Sequence, residues 1–407
     1  MPDRRRIPEL DGYRVLMVFI VSWFHIWQQS WLTPLIGGVS LDFLVRAGYM
    51  PVDATILLSG FLLFLPYARH MLLGERMPDT RSFYRRRICR VVPSFVFITL
   101  AMLFLVALPT HAYPSTGAMV QDIATHLSFT FVFFRENYIG SPLGGSSWTI
   151  CVEMQMYLLF PLIARLVCRK PGAVLLGMAA VSAYFRGWCV WRFGAYDMVV
   201  NQLISFLDVY ALGMACALVY VRLRAWWDTL EDRRVPELAA TGVLALSVWA
   251  GIVILREQAR SGTHILIQAG QMIRRPVWAL SCAGLMLALP FSVRPVRFLF
   301  GCRLMRWLSL ISMNYYLIHQ NLIVQMRRLN FPYSEYSLPN QMGIRSWQWR
   351  YTLYAFGLSA AAAVLVTLLV EKPGAILLRK LFREADRRKA RRHPPTTDPC
   401  DEKAGAV

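Results

Sequence analysis

Hydrophobic segments long enough to cross a lipid bilayer recur along almost the whole of this 407-residue chain. A transmembrane helix needs about 20 predominantly apolar residues, and these segments reach that length between charged residues, Pro and Gly. Hydrophobic residues make up 56% of the chain and charged residues 17%, which excludes an ordinary soluble domain. The pattern predicts an all-α integral membrane protein with about ten transmembrane helices. The predicted helices span roughly 14–36, 50–68, 91–109, 148–167, 173–191, 200–222, 237–255, 273–292, 304–326 and 350–370.

The basic residues are distributed by segment rather than on one face. The net charge is +20, and with ten helices most of the 44 Lys and Arg residues share a side with both termini. Because cytosolic segments are enriched in Lys and Arg, this distribution predicts that both termini are cytosolic, in agreement with an even number of spans. A nucleic-acid partner would require a basic groove or face, so we expect none. Anionic lipid of the bilayer accounts for the flanking charge.

The eight cysteines indicate neither a disulfide framework nor a metal centre. The sequence contains no C-x-x-C and no Cys/His pair at zinc spacing. Most of the cysteines fall in or beside predicted helices, where they act as small apolar residues. We therefore expect no bound metal.

The chain predicts one helical membrane domain, residues 1–373, followed by a cytosolic tail, residues 374–407. The tail begins with a basic amphipathic stretch, 375–383, typical of a helix that lies on the inner leaflet. From Arg387 onward it is polar, which is typical of disorder. The long loop 110–147 holds an aromatic run too short to span, so we expect it to lie at the interface or to dip into the body.

Arg14 and His25 place two ionisable groups in the first predicted span. Eleven residues make about three helical turns, so the two side chains share a face and lie about 16 Å apart along the axis. Asp11 precedes Arg14 by one turn on that face, and we expect the two to pair. Ionisable groups near mid-bilayer, where this span places His25, usually line an internal path or a reaction site. The first helix therefore predicts a membrane enzyme.

Arg86, Arg87 and Arg90 directly precede the third predicted span, at the cytosolic boundary. Guanidinium groups bind phosphate oxygens through pairs of hydrogen bonds, so this cluster is suited to a polyphosphate cofactor. Ordinary positive-inside anchoring is the alternative interpretation of the same residues.

Acidic residues within the spans could serve chemistry or structure. Glu153 lies about 8 Å below the outer end of the fourth predicted helix, where a carboxylate could orient an imidazole or take a proton. A salt bridge within the bundle is the alternative for Glu153. For Asp53 and Asp208 the structural role is the favoured one.

Two further polar positions fall within predicted spans. His319 lies in the outer half of the ninth helix and, with His25, is one of two histidines in spans; a core histidine with its hydrogen bonds satisfied is the alternative. Two histidines without an acidic third ligand do not make a metal site. Ser59, beside Gly60, could be a nucleophile, but small residues at mid-helix more often permit close helix packing.

Taken in order, these segments resemble the acyltransferase-3 family of integral membrane acyltransferases. The resemblance covers roughly residues 7–374 and rests on several motifs. They are Leu10-Asp11-Gly12-x-Arg14 with His25, Val52-Asp53 with Leu58-Ser59-Gly60-Phe61-Leu62, Arg86-Arg87-x-x-Arg90-x-x-Pro93, Trp148-Thr149-x-x-x-Glu153-x-x-x-Tyr157-Leu158-Leu159-Phe160-Pro161, Tyr316-Leu317-x-His319 and Glu371-Lys372-Pro373. The chain departs from the family pattern at Thr55-Ile56, Met154 and Met156, which bear on the acyl or acceptor pocket.

The resemblance implies transfer of a small acyl group, most often acetyl, from cytosolic acyl-coenzyme A to a hydroxyl of an extracytoplasmic or lipid-linked carbohydrate. It implies no permanently bound cofactor, with acyl-coenzyme A (acetyl-coenzyme A) as donor substrate, and a location in the bacterial cytoplasmic membrane. Because no hydrolase-like domain follows the membrane body, we expect an acceptor site within the membrane or a partner protein that completes the transfer.

The same resemblance implies roles for individual residues. We expect His25, Arg14 and Glu153 to be catalytic. His25 would be general base or acyl acceptor, Arg14 would orient the pantetheine arm or stabilise the oxyanion, and Glu153 would hold His25 or the acceptor. We expect the coenzyme A phosphates to bind Arg86, Arg87 and Arg90. Supporting roles fall to Asp11, Asp53, Ser59, Tyr157 and His319.

Two other classes of function fit the hydropathy pattern. A proton-coupled transporter of a small polar substrate would also hold His, Arg and acidic groups within the membrane, although no inverted repeat of broken helices is visible. A lipid- or sterol-sensing receptor is the third possibility. Dependence on coenzyme A separates the enzyme from both.

Overall fold

The computed structural model describes residues 6–192 and 194–392, and this part of the chain is almost entirely helical. Its two strands, β1 (Leu35–Ile36) and β2 (Val39–Ser40), form one short antiparallel hairpin. The helices are α1 Glu9–Ser30, α2 Asp42–Arg46, α3 Val52–Leu73, α4 Thr80–Met102, α5 Thr116–Leu127, α6 Arg135–Tyr138, α7 Trp148–Arg169, α8 Pro171–Arg192, α9 Leu207–Trp227, α10 Arg234–Ala259, α11 His264–Ala288, α12 Arg294–Gly301, α13 Arg303–Arg328, α14 Arg345–Val366 and α15 Lys372–Arg392.

Within residues 6–192 and 194–392, eight segments are long and apolar enough to cross a membrane, which confirms the prediction of an all-α, multi-pass integral membrane protein. They are Val52–Leu73, Thr80–Ala107, Gly145–Arg169, Pro171–Arg192, Leu203–Trp227, Arg234–Ala259, His264–Phe291 and Arg345–Arg388. The other two predicted spans correspond to α1 and α13, which are not among the eight. The count of ten and the side of the termini stay predictions.

The two less apolar long helices, α1 and α13, pack against each other inside the bundle. α1 also contacts α3, α12 and α14. A helix enclosed by other helices needs no continuous lipid-facing apolar surface, so it can carry charged and polar side chains. Gly12 shows how closely the chain packs here, because a Cβ at this position would lie 2.4 Å from the carbonyl oxygen of Phe300.

Small residues bring α3 and α9 into direct backbone contact. A Cβ on Gly60 would lie 2.8 Å from the carbonyl oxygen of Tyr210, and one on Gly213 would lie 2.3 Å from that of Leu57. The predicted packing role of the small residues in the middle of α3 is therefore confirmed for Gly60. Ser59, its neighbour, is half-buried and points elsewhere, into the cavity described below.

The helix boundaries differ from the predictions where polar residues form the first turns of a largely apolar helix. α1 covers Glu9–Ser30 rather than 14–36, so His25 lies in its last two turns and not near its middle. α4 begins at Thr80 rather than at 91, so its arginines lie within the helix rather than before it. The Asp79 carboxylate accepts a hydrogen bond from the Ser82 amide at 2.7 Å, caps this start and holds the pKa of that carboxyl below its usual range.

The C-terminal helix α15 packs along α4 and continues to Arg392, beyond Arg387, where disorder was predicted to begin. A Cβ on Gly374 would meet Pro93 at 2.6 Å, and Asp386 ion-pairs with Arg81 and Arg85. The two contacts are twelve residues apart on each helix, so the helices run antiparallel. The polar stretch is helical through Arg392. Residues 393–407 of the predicted disordered tail lie outside the described residues.

The loop 110–147 packs into the body, as one of the two expectations proposed. Phe131 and Val132 are buried, and the ring of Phe129 lies 4.6 Å from that of Phe95. At its end, the Ser146 hydroxyl donates to the carbonyl of Tyr316 at 2.8 Å. α7 therefore starts against α13, inside the bundle.

Candidate active site

A cavity of about 190 Å³ lies between α1, α3, α4, α7 and α13. Its charged lining consists of Arg14, Arg87, Arg90 and Glu153, and we call it the arginine cavity. The remaining polar side chains that line it are those of Thr55, Ser59, Thr149, Tyr157, Ser312 and Tyr316. Apolar side chains such as Val18, Ile56 and Leu63 complete the wall. Five helices, which lie between Glu9 and Arg328, thus contribute to one polar chamber.

The arginine cavity has more positive than negative charge, with three guanidinium groups and one carboxylate. Among the described residues, Arg14 and Arg90 form no hydrogen bond or ion pair with protein. The Arg87 guanidinium lies 5.4 Å from the ring centre of Tyr157, and its buried Nε has no partner there. Guanidinium donors directed into a chamber without protein acceptors are suited to an anion that carries several oxygens.

The single carboxylate of the cavity is fixed by its own helix. The Tyr157 hydroxyl donates to Glu153 Oε2 at 2.8 Å, one turn further along α7. Ser59 is half-buried and forms no hydrogen bond to another described residue. The predicted site residues Arg14, Ser59, Arg87, Arg90, Glu153 and Tyr157 are therefore brought together.

His25 and His319 form a separate group that does not line the cavity, which we call the histidine pair. Their ring centres are 5.3 Å apart. His25 Nδ1 lies 3.0 Å from Gln28 Oε1, and His319 Nδ1 lies 2.7 Å from the carbonyl oxygen of Tyr316. Tyr316 links the two groups, because it lines the cavity and its ring centre lies 5.5 Å from that of His319.

Asp53 and Asp208 belong to a third group, the ion-pair network, outside the cavity. Asp53 pairs with Arg275 at 3.1 Å, and Asp208 pairs with Arg186 at 2.6 Å. The carbonyl of Ser205 accepts from both arginines, at 3.2 and 2.8 Å, and so joins the two pairs. These contacts agree with the favoured structural role of both aspartates.

Three expectations about position are corrected. Asp11 pairs with Arg6 rather than with Arg14, because helical side chains lean toward the N-terminus and Arg14 turns into the cavity. Glu153 is not in contact with His25, which one of its predicted roles required, but lines the cavity together with Arg14 and Arg87. Arg86 is exposed and does not line the cavity, unlike its neighbour Arg87.

Sequence reasoning missed three polar residues of the cavity wall. Ser312 and Tyr316 stand four residues apart on α13, and His319 follows three residues later. This spacing puts Ser312 and Tyr316 on the same helix face as His319, which was predicted. The helical periodicity was therefore the signal that could have identified Ser312 and Tyr316. Thr149 likewise precedes Glu153 by one turn of α7. The Asp–Arg partners of the ion-pair network have no such signal, since they lie on different helices.

Among residues 6–192 and 194–392, no group of three His, Cys, Asp or Glu side chains is arranged to hold a metal ion. The seven cysteines in this part of the chain are free thiols. The arginine cavity and the histidine pair offer guanidinium, carboxylate, hydroxyl and imidazole groups.

Comparison with known proteins identifies relatives of the same kind. The model of a family described as an acyltransferase domain matches residues 7–371. Acyltransferase MdmB of Streptomyces mycarofaciens is 29% identical over 173 residues, 42% of this chain and 43% of MdmB. O-acetyltransferase OatA of Staphylococcus aureus is 25% identical over 191 residues, 45% of this chain and 29% of OatA.

A third relative, the peptidoglycan O-acetyltransferase OatA of Listeria monocytogenes, is 25% identical over 170 residues, 39% of this chain and 24% of that protein. The chain thus spans less than half the length of each of these relatives. No solved structure matches it significantly.

Proposed function

This chain belongs to the acyltransferase-3 family, and on that premise we propose that it transfers an acetyl group from cytosolic acetyl-coenzyme A to a hydroxyl of an extracytoplasmic or lipid-linked carbohydrate. O-acyl transfer within a membrane is the activity of the family. The donor, the acceptor and a place in the bacterial cytoplasmic membrane are our proposal. Support for acetyl and for a glycan acceptor comes from the names of bacterial relatives, an O-acetyltransferase and a peptidoglycan O-acetyltransferase.

The observation that carries the donor assignment is the surplus of guanidinium groups in the arginine cavity. In the proposed reaction coenzyme A is the anionic partner, and its phosphates would offer acceptor oxygens to Arg14, Arg87 and Arg90. A charged chamber in the membrane is expensive unless it serves a ligand. Arg86, exposed on the same helix, would contact a part of the donor outside the cavity.

The thioester then has to reach the histidine pair. Eleven residues of α1 separate Arg14 from His25, about 16 Å along the axis, which the extended pantetheine arm would bridge. Tyr316 marks the route, because it lies at the wall of the cavity and against His319. The acceptor would approach His25 from the opposite end of α1.

His25 supplies the base in this reaction. Its Nδ1 donates to the amide oxygen of Gln28, so its Nε2 carries a lone pair and forms no hydrogen bond to another described residue. His25 Nε2 would take the proton of the acceptor hydroxyl as that oxygen attacks the acyl carbon. Arg14 would steady the donor or its developing oxyanion, and Glu153 would position the donor through the cavity.

Transfer from labelled acetyl-coenzyme A by purified protein in nanodiscs tests the proposal. Wild type should release coenzyme A thiol and label a bacterial glycan. His25→Ala should abolish both, whereas His264→Ala, an exposed histidine, should leave both intact. Absence of thiol release and of coenzyme A binding in well-folded wild type would contradict the proposal, and substrate accumulation in sealed vesicles would then favour a transporter.

A further inference from the structure

The histidine pair contains a second imidazole with a free lone pair. His319 Nδ1 faces two carbonyl oxygens of its own helix, those of Tyr316 at 2.7 Å and Tyr315 at 3.3 Å. A carbonyl only accepts, so Nδ1 carries the proton and Nε2 of the neutral ring is an acceptor. His319 is fully buried, and its Nε2 has no hydrogen-bond partner within the described residues.

An unpaired buried acceptor is destabilising, so a fold that keeps one generally has a use for it. The neighbouring tyrosines do not satisfy it. Tyr315 stacks parallel to the His319 ring at 5.8 Å, and its hydroxyl is engaged with Ser22 Oγ at 2.7 Å. The backbone carbonyl of Tyr316 accepts a hydrogen bond from Nδ1 of His319, not from Nε2. Within the part of the chain described here, neither imidazole has a carboxylate partner, and each ring lies beside the other.

The two Nε2 atoms form no hydrogen bond with each other in the structure, but the distance between the ring centres is close to that of two imidazoles that share a proton. Two imidazoles joined by one linear N–H···N hydrogen bond of about 2.9 Å, with roughly 1.1 Å from each nitrogen to its ring centre, have centres about 5.1 Å apart. The observed distance between the centres of His25 and His319 is 5.3 Å. Because both Nδ1 atoms are occupied by helix acceptors, the two Nε2 atoms are the ones left to hold such a proton.

We propose that His25 and His319 share, between their Nε2 atoms, the proton removed from the acceptor hydroxyl. The inference rests on the proposed function. The hydroxyl gives its proton to His25 Nε2 as its oxygen bonds to the acyl carbon. The C–S bond then breaks, and the leaving thiolate takes the proton back from the pair as coenzyme A thiol. His319 touches neither substrate in this scheme and acts as a positioning residue that holds the proton through His25.

The direct test on the unaltered protein is ¹⁵N NMR of histidine-labelled wild type in nanodiscs, titrated with acid. A shared proton should give a ¹⁵N–¹⁵N coupling across the hydrogen bond between two Nε2 atoms, and His25→Gln should abolish it. Two independent Nε2 signals without coupling at every pH, in protein that is active, would overturn the inference.

Kinetics provide the second test. His319→Gln retains a hydrogen-bonding side chain but cannot hold the proton, so kcat for acetyl transfer should fall about 100-fold while KM for acetyl-coenzyme A stays within twofold. His264→Gln, at an exposed site, is the matched control. Wild-type kcat in His319→Gln would overturn the inference while leaving the proposed function intact, whereas inactive wild type would refute the proposed function itself.

Discussion

The molecule holds two groups of charged side chains within its helices, and they differ in how the charges are balanced. In the ion-pair network, two aspartates meet two arginines, and Arg186 and Arg275 are joined through the Ser205 carbonyl. In the arginine cavity, three arginines face one glutamate, and within the described residues Arg14 and Arg90 form no hydrogen bond or ion pair. The network is also filled by packing, with the Arg275 guanidinium 4.0 Å from the ring centre of Phe206.

The balance of charges distinguishes a group of side chains that stabilises the fold from a group that binds a ligand. Charges that neutralise each other in a packed interior hold helices together, and removing one partner leaves an expensive buried charge. Charges that remain unbalanced around open volume have a ligand as their natural partner. Mutation should therefore affect folding in the network and substrate affinity in the cavity.

The largest expected effect is on stability, in the network. Asp208→Ala leaves Arg186, which is 5% exposed, without its counter-charge, and should lower the free energy of unfolding by about 3–5 kcal/mol. Thermal denaturation and the yield of folded protein in detergent measure it. The double variant Arg186→Met/Asp208→Leu, which removes both charges, should recover most of the loss; equal instability of single and double variants would contradict the comparison.

The next effect is on donor binding, in the cavity. Arg90→Ala removes charge-assisted hydrogen bonds worth about 1.5–3 kcal/mol, so KM for acetyl-coenzyme A should rise about 10- to 100-fold. Its melting temperature should stay close to that of wild type, because Arg90 is exposed and forms no hydrogen bond or ion pair within residues 6–192 and 194–392. Arg260→Ala, which removes an exposed arginine, is the control. A destabilised Arg90→Ala with normal KM would reverse the assignment of the two groups.

A smaller effect, with the opposite sign, is expected at the only carboxylate among the lining residues. Glu153→Gln increases the positive surplus while an amide oxygen can still accept from Tyr157. Coenzyme A affinity should stay constant or increase by up to about tenfold, while kcat falls if Glu153 acts in the reaction. Weaker coenzyme A binding in Glu153→Gln would contradict this expectation. It would show that the carboxylate accepts hydrogen bonds from the donor and that these outweigh the repulsion between two negative charges.

The smallest effect is expected where α15 meets α4. Asp386 ion-pairs with Arg81 and Arg85, side chains that are 56% and 26% exposed. Surface ion pairs contribute little, so Asp386→Asn should shift the melting temperature by no more than about 2 °C. KM for acetyl-coenzyme A should change less than twofold. A large rise in KM would mean that α15 orders the arginine cavity.

The sequence predicts much of this molecule because apolar length and helical spacing are local properties. The segments of α3, α7, α8 and α10 were predicted to within a few residues, and Arg14, Arg87, Arg90 and Glu153 do meet. Pairing between distant segments is not local. The sequence positions of Arg6 and Arg14 do not show which of them pairs with Asp11. No residue near Asp53 in the sequence indicates that its partner is Arg275.

Helix ends were the other source of error. The starts of α1 and α4 carry charged residues, which hydropathy assigns to loops although the chain is helical there. A shift of a helix start changes the position of every residue along the helix, which moved His25 from the middle of α1 to its last turns and placed the arginines of α4 within the helix. The roles predicted for these residues stay predictions until activity is measured.

Equilibrium binding of labelled coenzyme A in nanodiscs is the most direct test of the central claim, that the unbalanced charge of the arginine cavity binds the donor. Wild type should bind, Arg14→Ala, Arg87→Ala and Arg90→Ala should each bind at least about tenfold more weakly, and Arg260→Ala should bind like wild type. Equal affinity in all five proteins, each shown to be folded, would contradict the account and leave the surplus charge without its ligand.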